Sequence, residues 1–282
     1  MQTKASPADI GSEILASTAF GATPGLAATE LPEPADPLSR WYRAVALAGQ
    51  GRYAAARADL RTVARTTTNP GLKSLVESTR GSLLRQLGDH AAASTFDGRA
   101  ATLALGATGT ARAEALADAY TGLAADALGT GRLALARKVL DRVRPLLADA
   151  PARAEVRWHW VRAETALAGG ESAAALRDAG KAVELAAALP SVRHQVKSAL
   201  LVAAATAAAG DLAGSAELAR RVDADCRENN LLPLRWATAM LLSGVAEPAL
   251  ARAAADEAAD HGARLRDMGG VIAPLGARLV DG

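Results

Sequence analysis

Histidines and paired carboxylates are the side chains of this chain whose types and spacing could support catalysis. Two carboxylate pairs, Glu114 with Asp118 and Asp256 with Asp260, have the i, i+4 spacing that places both groups on one helix face. General acid–base catalysis would need one carboxyl of a pair to be held in a site that raises its pKa, together with a partner residue. The surrounding sequence offers neither, so we interpret both pairs as solvated helix surface. The four histidines are scattered over different segments: His90, His159, His194 and His261.

The sequence motifs of the common enzyme and metal sites are absent. The chain has no GxxxxGK[ST] phosphate loop, no HExxH pair and no GxSxG elbow. Cys226 is the only cysteine, so an internal disulfide and a CxxC motif are both excluded. We expect Cys226 to be buried, with a redox role as the alternative. We therefore predict no catalytic residue, no metal, no cofactor and no enzymatic activity.

Composition and charge limit the classes of partner. The net charge is only +2, which gives no strong field toward nucleic acid or an anionic membrane. Arginine far exceeds lysine, with 27 against 5, which indicates a GC-rich genome or, alternatively, selection for phosphate binding. The longest apolar run, residues 199–209, is shorter than a membrane span. We expect a cytoplasmic protein that binds neither membrane nor nucleic acid.

The first 36 residues differ in character from the rest. This segment contains several prolines and has a net charge of −4, and only residues 10–20 could form a short helix, capped by Asp9. We expect residues 1–36 to be largely flexible, with the part outside this helix either mobile or docked in extended form. The following residues, 37–66, have a net charge of +5. The acidic segment could therefore fold back over this basic region and compete with an acidic partner; the alternative is that the basic region is only a solvated end.

A glycine turn recurs five times along the chain. Its glycines lie 37, 43, 39 and 40 residues apart, at Gly51, Gly88, Gly131, Gly170 and Gly210. Alanine-rich helical sequence flanks each turn, and a recurrence near forty residues is typical of stacked helical hairpins. Residues 231–242 and 247–266 predict a sixth hairpin that lacks the glycine turn.

Small residues recur at fixed distances from each glycine. Seven positions before it are Ala44, Gly81, Ala124, Ala163 and Ala203; five positions after it are Ala56, Ala93, Ala136, Ala175 and Ser215. Paired small residues on facing helices permit a close crossing. An apolar residue follows twelve positions after each glycine, at Val63, Ala100, Val143, Ala182 and Val222, and is expected to contact the next hairpin.

This spacing of small residue, glycine turn and alanine resembles the tetratricopeptide repeat (TPR) family over residues 37 to about 225, in a longer bacterial variant of about 40 residues per repeat. The resemblance implies an all-α, right-handed superhelical solenoid of antiparallel hairpins, with five clear repeats and a degenerate sixth. The family's first-helix tryptophan is not kept in register, which is a departure from its pattern. The implied organisation is an N-terminal segment (1–36), a repeat domain (37–266) and a C-terminal tail or cap (267–282).

The resemblance also implies which residues face a ligand, because the first helix of each repeat lines the concave surface. Ten positions before each glycine stand Trp41, Ser78, Thr121, Trp160 and Leu200. Trp41 and Trp160 are predicted to anchor a partner, although both could instead belong to the core or to a cap. Other residues expected on the concave side are Arg85, Gln86, Asp118, Arg157, Glu164 and Lys197.

These expectations favour a non-catalytic role as an adaptor or regulatory subunit. A protein or peptide segment would lie in the concave groove against Trp41 and Trp160, with Arg85, Arg157 and Lys197 as polar contacts. The alternative is a sensor or regulatory domain associated with transcription machinery. The longer repeats resemble the helical-repeat regions of bacterial regulators of that kind. An enzyme is a third possibility, and the sequence offers no cluster of residues for it.

Overall fold

The computed structural model describes residues 6–273, and within that range the protein is all-α, with thirteen α-helices and no strand. The helices are α1 (Pro7–Phe20), α2 (Pro37–Gly49), α3 (Tyr53–Thr66), α4 (Pro70–Arg85), α5 (His90–Ala104), α6 (Gly109–Gly129), α7 (Leu133–Val143), α8 (Ala152–Ala168), α9 (Ser172–Ala187), α10 (Val192–Ala208), α11 (Leu212–Glu228), α12 (Leu232–Val245) and α13 (Pro248–Asp267). A 3-10 turn, Arg144–Leu146, follows α7. None of these helices combines the length and apolarity that crossing a membrane requires.

The five glycine turns share one backbone geometry. Their φ angles are +82°, +88°, +76°, +72° and +96° in chain order, in the left-handed region that favours glycine. In each turn the residue after the glycine donates its N–H to the carbonyl five residues earlier, at 2.8–3.2 Å. This bond satisfies a helix-end carbonyl, as in a Schellman cap. The recurring glycines therefore end α2, α4, α6, α8 and α10 in the same way.

Helices pack in consecutive pairs, and each pair contacts the next through its first helix. The helices α2, α4, α6, α8, α10 and α12 each contact the following member of this set, and they form the inner layer. The small residues predicted at the crossings are all buried. In the fifth pair the Ser215 hydroxyl donates to the Ala203 carbonyl at 2.8 Å, which joins the two predicted crossing positions directly. The apolar residues twelve positions after each glycine are also buried.

The sixth predicted hairpin is present as α12 and α13, and it returns to the first hairpin. The Ala54 N–H donates to the Met268 carbonyl at 2.9 Å, and the Arg57 guanidinium donates to the Gly269 carbonyl at 2.6 Å. One core cluster contains Tyr53 of α3 and Leu265 of α13. The two ends of the helical array therefore share a hydrophobic core. Of the predicted tail or cap, residues 274–282 lie outside the described range.

The described part of the N-terminal segment, residues 6–36, is docked on the helical array. Helix α1 begins earlier than predicted, because Ser6 is the N-cap and forms a capping box with Asp9. The Gln50 side-chain amide then donates to the carbonyls of Pro24 and Leu26, at 3.0 and 2.7 Å. Buried apolar residues on α1 explain the docking, since Leu15 and Ala19 are 0% and 1% exposed.

The acidic end of this segment does lie on the basic region, as the charge pattern suggested. Glu33 accepts hydrogen bonds from Arg40 at 3.1 Å and from Arg43 at 2.7 Å. Both arginines also bind Asp59, which is nearly buried. Part of the +5 charge of residues 37–66 is therefore neutralised within the molecule. The competition between this segment and a partner stays a prediction.

Candidate functional site

A cavity of about 560 Å³ lies at the centre of the inner layer, and residues of all six hairpins and of α1 line it. All five residues predicted to bind a partner line it: Trp41, Arg85, Trp160, Arg157 and Lys197. Gln86, Asp118, Glu164, Ser78 and Thr121 also line it, as expected for the concave side. Leu200 does not, because it is buried in a separate apolar cluster with Val222 and Leu231. Four of the five residues that stand ten positions before a glycine therefore line one cavity.

The two predicted anchor tryptophans differ in exposure. Trp41 is 3% exposed and belongs to the core cluster, while Trp160 is half-buried. Each indole N–H donates to a hydroxyl on the next inner helix, Trp41 to Thr79 at 2.9 Å and Trp160 to Ser198 at 2.8 Å. These bonds orient the rings and satisfy the only polar atom that an indole has. Trp160 is consequently the tryptophan that a ligand could reach, and Trp41 has mainly a packing role.

Arg85 projects from α4 and binds two buried carboxylates that the sequence did not reveal. It donates to Asp97 at 2.8 Å and to Asp126 at 2.5 Å, and both carboxylates are essentially inaccessible. Burial raises the pKa of Asp97 although Arg85 opposes the shift. Burial, and Asp97 nearby, raise the pKa of Asp126 to about 7 against the pull of Arg85. Below that pH the two carboxyls together hold one proton. The pair then carries a single negative charge, which Arg85 neutralises.

Two glycines make room for this buried pair. A Cβ on Gly122 would lie 2.5 Å from three atoms of the Asp97 carboxyl, and one on Gly81 would lie 2.6 Å from its Oδ2. Gly81 was predicted as a helix-crossing residue, and its crossing encloses an aspartate as well. A larger residue at either position would displace the carboxylate from Arg85.

The prediction that Glu114 and Asp118 form a solvated pair is wrong. Asp118 is only 4% exposed and accepts hydrogen bonds from Arg153 at 3.0 Å and from Arg157. Glu114 binds Arg153 from the other side. Burial acts to raise the pKa of Asp118, but Arg153 and Arg157 outweigh it and lower this pKa. The i, i+4 spacing was identified correctly, and its cationic partners come from α8, which the spacing could not indicate.

Other cavity groups were missed because their positions depend on the docking of distant elements. They are Phe20, Arg153, Arg193, His194, Trp236 and Met240. Arg153 had one available signal, since it precedes Arg157 by four residues and shares its helix face. Phe20 had none, because its place in the cavity follows from the contact of α1 with α2 and α10.

Three further polar residues line the cavity: Lys197 and Glu164 form an ion pair, and His194 is neutral. Lys197 binds Glu164 at 2.7 Å across α10 and α8. Burial, and then the charge of Arg193, keep the pKa of His194 well below its usual value, so its ring is neutral. No cluster of three or more potential metal ligands occurs between residues 6 and 273.

Comparison with known proteins gives no relative from which a function could be transferred: no family model matches the chain, and no curated protein matches it.

Proposed function

We propose that this protein is a non-catalytic adaptor or regulatory subunit that holds a short segment of a protein partner in its central cavity. The observation that carries this proposal is the convergence of Trp160, Arg85, Arg157 and Lys197 on one cavity from three separate inner helices. A volume of about 560 Å³ is in the range of cavities for drug-sized ligands. The partner would therefore enter as a short segment and not as a folded surface.

The architecture that we propose for this function is the right-handed TPR-like superhelix that the resemblance implies. The five glycine turns with a common cap and the contacts between successive inner helices support it. In such an array the inner helices present a ligand surface that is already shaped before binding. The residues facing a partner are thus held by rigid elements, which lowers the entropy lost on binding.

The chemistry of the cavity supports binding over catalysis. Its two carboxylates, Asp118 and Glu164, are each paired with a cationic side chain. The lowered pKa of Asp118 makes it a poor proton donor near neutral pH. The neutral His194 ring already shares a hydrogen bond with the Ser191 hydroxyl at 2.7 Å.

A pull-down from native lysate with paired variants tests the proposal. Trp160→Ala combined with Lys197→Ala alters two half-buried cavity residues, while Arg137→Ala combined with Glu171→Ala removes an exposed ion pair outside the cavity. A partner should be retained by the wild type and the control and lost by the cavity variant, with all three folded by circular dichroism. Overlapping peptides of the identified partner should then compete for retention.

Retention of the same protein by the cavity variant and the wild type would contradict a cavity-bound segment. The paired design is preferable to a Trp41→Ala variant, because Trp41 is part of the core. Removing a buried tryptophan costs about 3–5 kcal/mol, so lost binding could then reflect lost folding.

A sensor or regulatory domain is the second candidate, and the enclosure of the cavity favours it. The cavity is lined by residues of both the first and the last hairpin, including Trp41 and Trp236. A small ligand there would contact several hairpins at once and could change the curvature of the array. Association with transcription machinery stays a prediction from the resemblance.

A further inference from the structure

Three arginines converge on one wall of the cavity, and we call them the arginine cluster: Arg153 and Arg157 on α8, and Arg193 on α10. The guanidinium carbons of Arg153 and Arg193 lie 4.8 and 5.7 Å from the centroid of the Phe20 ring. Arg153 and Arg157 share Asp118. The three cationic groups are therefore held together by one aromatic ring and one carboxylate.

The cluster contains more positive than negative charge. Arg153 and Arg157 are paired with Asp118, and Arg153 also with Glu114. Arg193 has no carboxylate partner anywhere in residues 6–273, and its guanidinium donates only to the carbonyls of Ala19, at 3.0 Å, and Val45, at 3.4 Å. Three arginines thus face two carboxylates.

The lowered pKa of Arg193 agrees with this excess of positive charge. Burial, followed by the charges of Arg157 and Arg153, lowers the pKa of Arg193 to about 10. Carbonyl dipoles stabilise the Arg193 charge less than a carboxylate would. A half-buried cation without a counter-charge is unfavourable, and an added anion would relieve the repulsion among the three arginines.

Two neutral hydroxyl residues also line the cavity. Ser78 and Thr121 line the cavity at 5% and 3% exposure. Neither hydroxyl oxygen has a hydrogen-bond partner in the part of the chain that the structure describes. Trp236 and Met240 also line the cavity and provide apolar surface. The cavity therefore offers both donors for an oxyanion and apolar surface.

We propose that the arginine cluster is a subsite for an oxyanion of the ligand, carried next to an apolar or aromatic group. This inference rests on the proposed function, because the oxyanion belongs to the segment held in the cavity. Guanidinium groups bind carboxylate and phosphate oxygens through paired, charge-assisted hydrogen bonds. The oxyanion comes either from a carboxylate, at an acidic side chain or a chain end, or from a phosphorylated side chain.

Three small probes test the subsite without the partner: phenylacetate, phenyl phosphate and the neutral phenylacetamide. At constant ionic strength, at least one anion should raise Tm and change tryptophan fluorescence, while the amide should do neither. Arg193→Met should weaken binding of that anion about tenfold or more, whereas Arg220→Met, an exposed site on α11, should leave it unchanged. Which anion binds identifies the source of the oxyanion.

A second pair of variants covers the case in which Arg193→Met does not fold. Arg157→Met should weaken binding similarly, and Arg162→Met, on the same helix but outside the cavity lining, should not. Equal binding of phenylacetamide and the anions, no binding of either anion, or full binding by the folded Arg157→Met or Arg193→Met variant would each overturn the subsite. Partner retention in the pull-down is measured independently, so it can succeed while the oxyanion subsite fails.

Discussion

Buried charge is the residue-scale feature that most distinguishes this protein. Asp97 and Asp126 lie in the interior with Arg85 as their cationic partner, and glycines supply the space that they occupy. Two ionised carboxylates that share one arginine would repel in a medium of low dielectric constant. Burial first, and then the charge of Asp97, raise the pKa of Asp126 to about 7 against the pull of Arg85, and a proton on the pair removes the repulsion.

The space around Asp97 can be tested with one glycine. We expect Gly122→Ala to lower the free energy of unfolding by about 1–3 kcal/mol, because its Cβ would overlap the Asp97 carboxyl. The matched control is Gly98→Ala in α5, where a Cβ has no contact within 4 Å. The control should be neutral or more stable by up to about 1 kcal/mol, since alanine favours helix. Urea unfolding measures both, and equal effects would refute the packing argument.

The protonation of Asp126 predicts a pH-dependent stability. The folded pKa is raised from 3.8 to about 7, so the folded state holds a proton that the unfolded state releases. Stability from this group is complete below about pH 4 and falls as the pH rises to about 7, by at most about 1.4 kcal/mol per pH unit. Asp126→Asn removes this loss, so the variant should gain stability relative to wild type between pH 5 and pH 8.

Comparing Asp126→Asn with the wild type separates the titration of Asp126 from that of two histidines, whose charge also changes with pH. The lowered pKa values of His90 and His194 act in the opposite direction, since neutral histidines in the folded state favour stability as the pH rises. His194 remains in the variant, so its contribution cancels in the difference. His90 Nδ1 lies 3.9 Å from Asp126 Oδ1, so both proteins are compared in a His90→Gln background, which removes its titration. A difference in unfolding free energy that does not change with pH would contradict the shared proton.

At the scale of elements, the glycine turns have the same backbone and different surroundings. Gly131 has open space where a Cβ would be added, as do Gly170 and Gly210. Gly51 is different, because its Cβ would lie 2.5 Å from the Leu265 side chain of α13. The first turn therefore has two reasons to be glycine, its positive φ and the close approach of the last helix.

This difference predicts unequal effects of one substitution. Gly131→Ala should cost about 1–2 kcal/mol, from the left-handed conformation alone. Gly51→Ala should cost clearly more, because α13 must also move away from the turn. Chemical denaturation of the two variants gives the comparison. Equal losses would indicate that Leu265 adjusts freely, and the proposed tight contact between the ends would be wrong.

At the scale of the whole molecule, contact between the two ends distinguishes this array from an open one. In an open array of repeats the terminal hairpins have one neighbour each and unfold first. Here the first hairpin packs on the last, and the Ala273 N–H also donates to the Leu87 carbonyl of the second hairpin at 2.8 Å. The end hairpins thus gain a second neighbour, and α1 adds a further contact to α10.

Hydrogen exchange tests this coupling between distant parts of the chain. Leu265→Ala should accelerate amide exchange in α3, because loss of a fully buried leucine weakens the contact between Tyr53 and α13. The Ala54 amide, bound to the Met268 carbonyl, should respond most. The control Val143→Ala also removes a fully buried side chain, in α7, and should leave α3 protected. Unchanged exchange of Ala54 in Leu265→Ala would show that the ends unfold independently.

Much of the fold was determined by local sequence. A positive-φ turn favours glycine, and a close helix crossing favours small residues, so both preferences appear at fixed spacing near forty residues. The helical pairs, including the sixth, and the buried positions around each turn could therefore be predicted. The resemblance to the repeat family, in turn, implied that Arg85, Arg157 and Lys197 share the concave side, and all three line the cavity.

Only the tertiary structure decided what closes the cavity and what balances its charges. Phe20 and Arg193 meet because small rotations between successive hairpins add up until α10 lies next to α1 and α2, and no single spacing encodes that sum. Likewise, Asp118 has the spacing of a solvated carboxylate, and its burial follows from arginines on another helix. Sequence periodicity reports contacts within a hairpin and its neighbour, whereas the charge of this site depends on contacts more than a hundred residues apart.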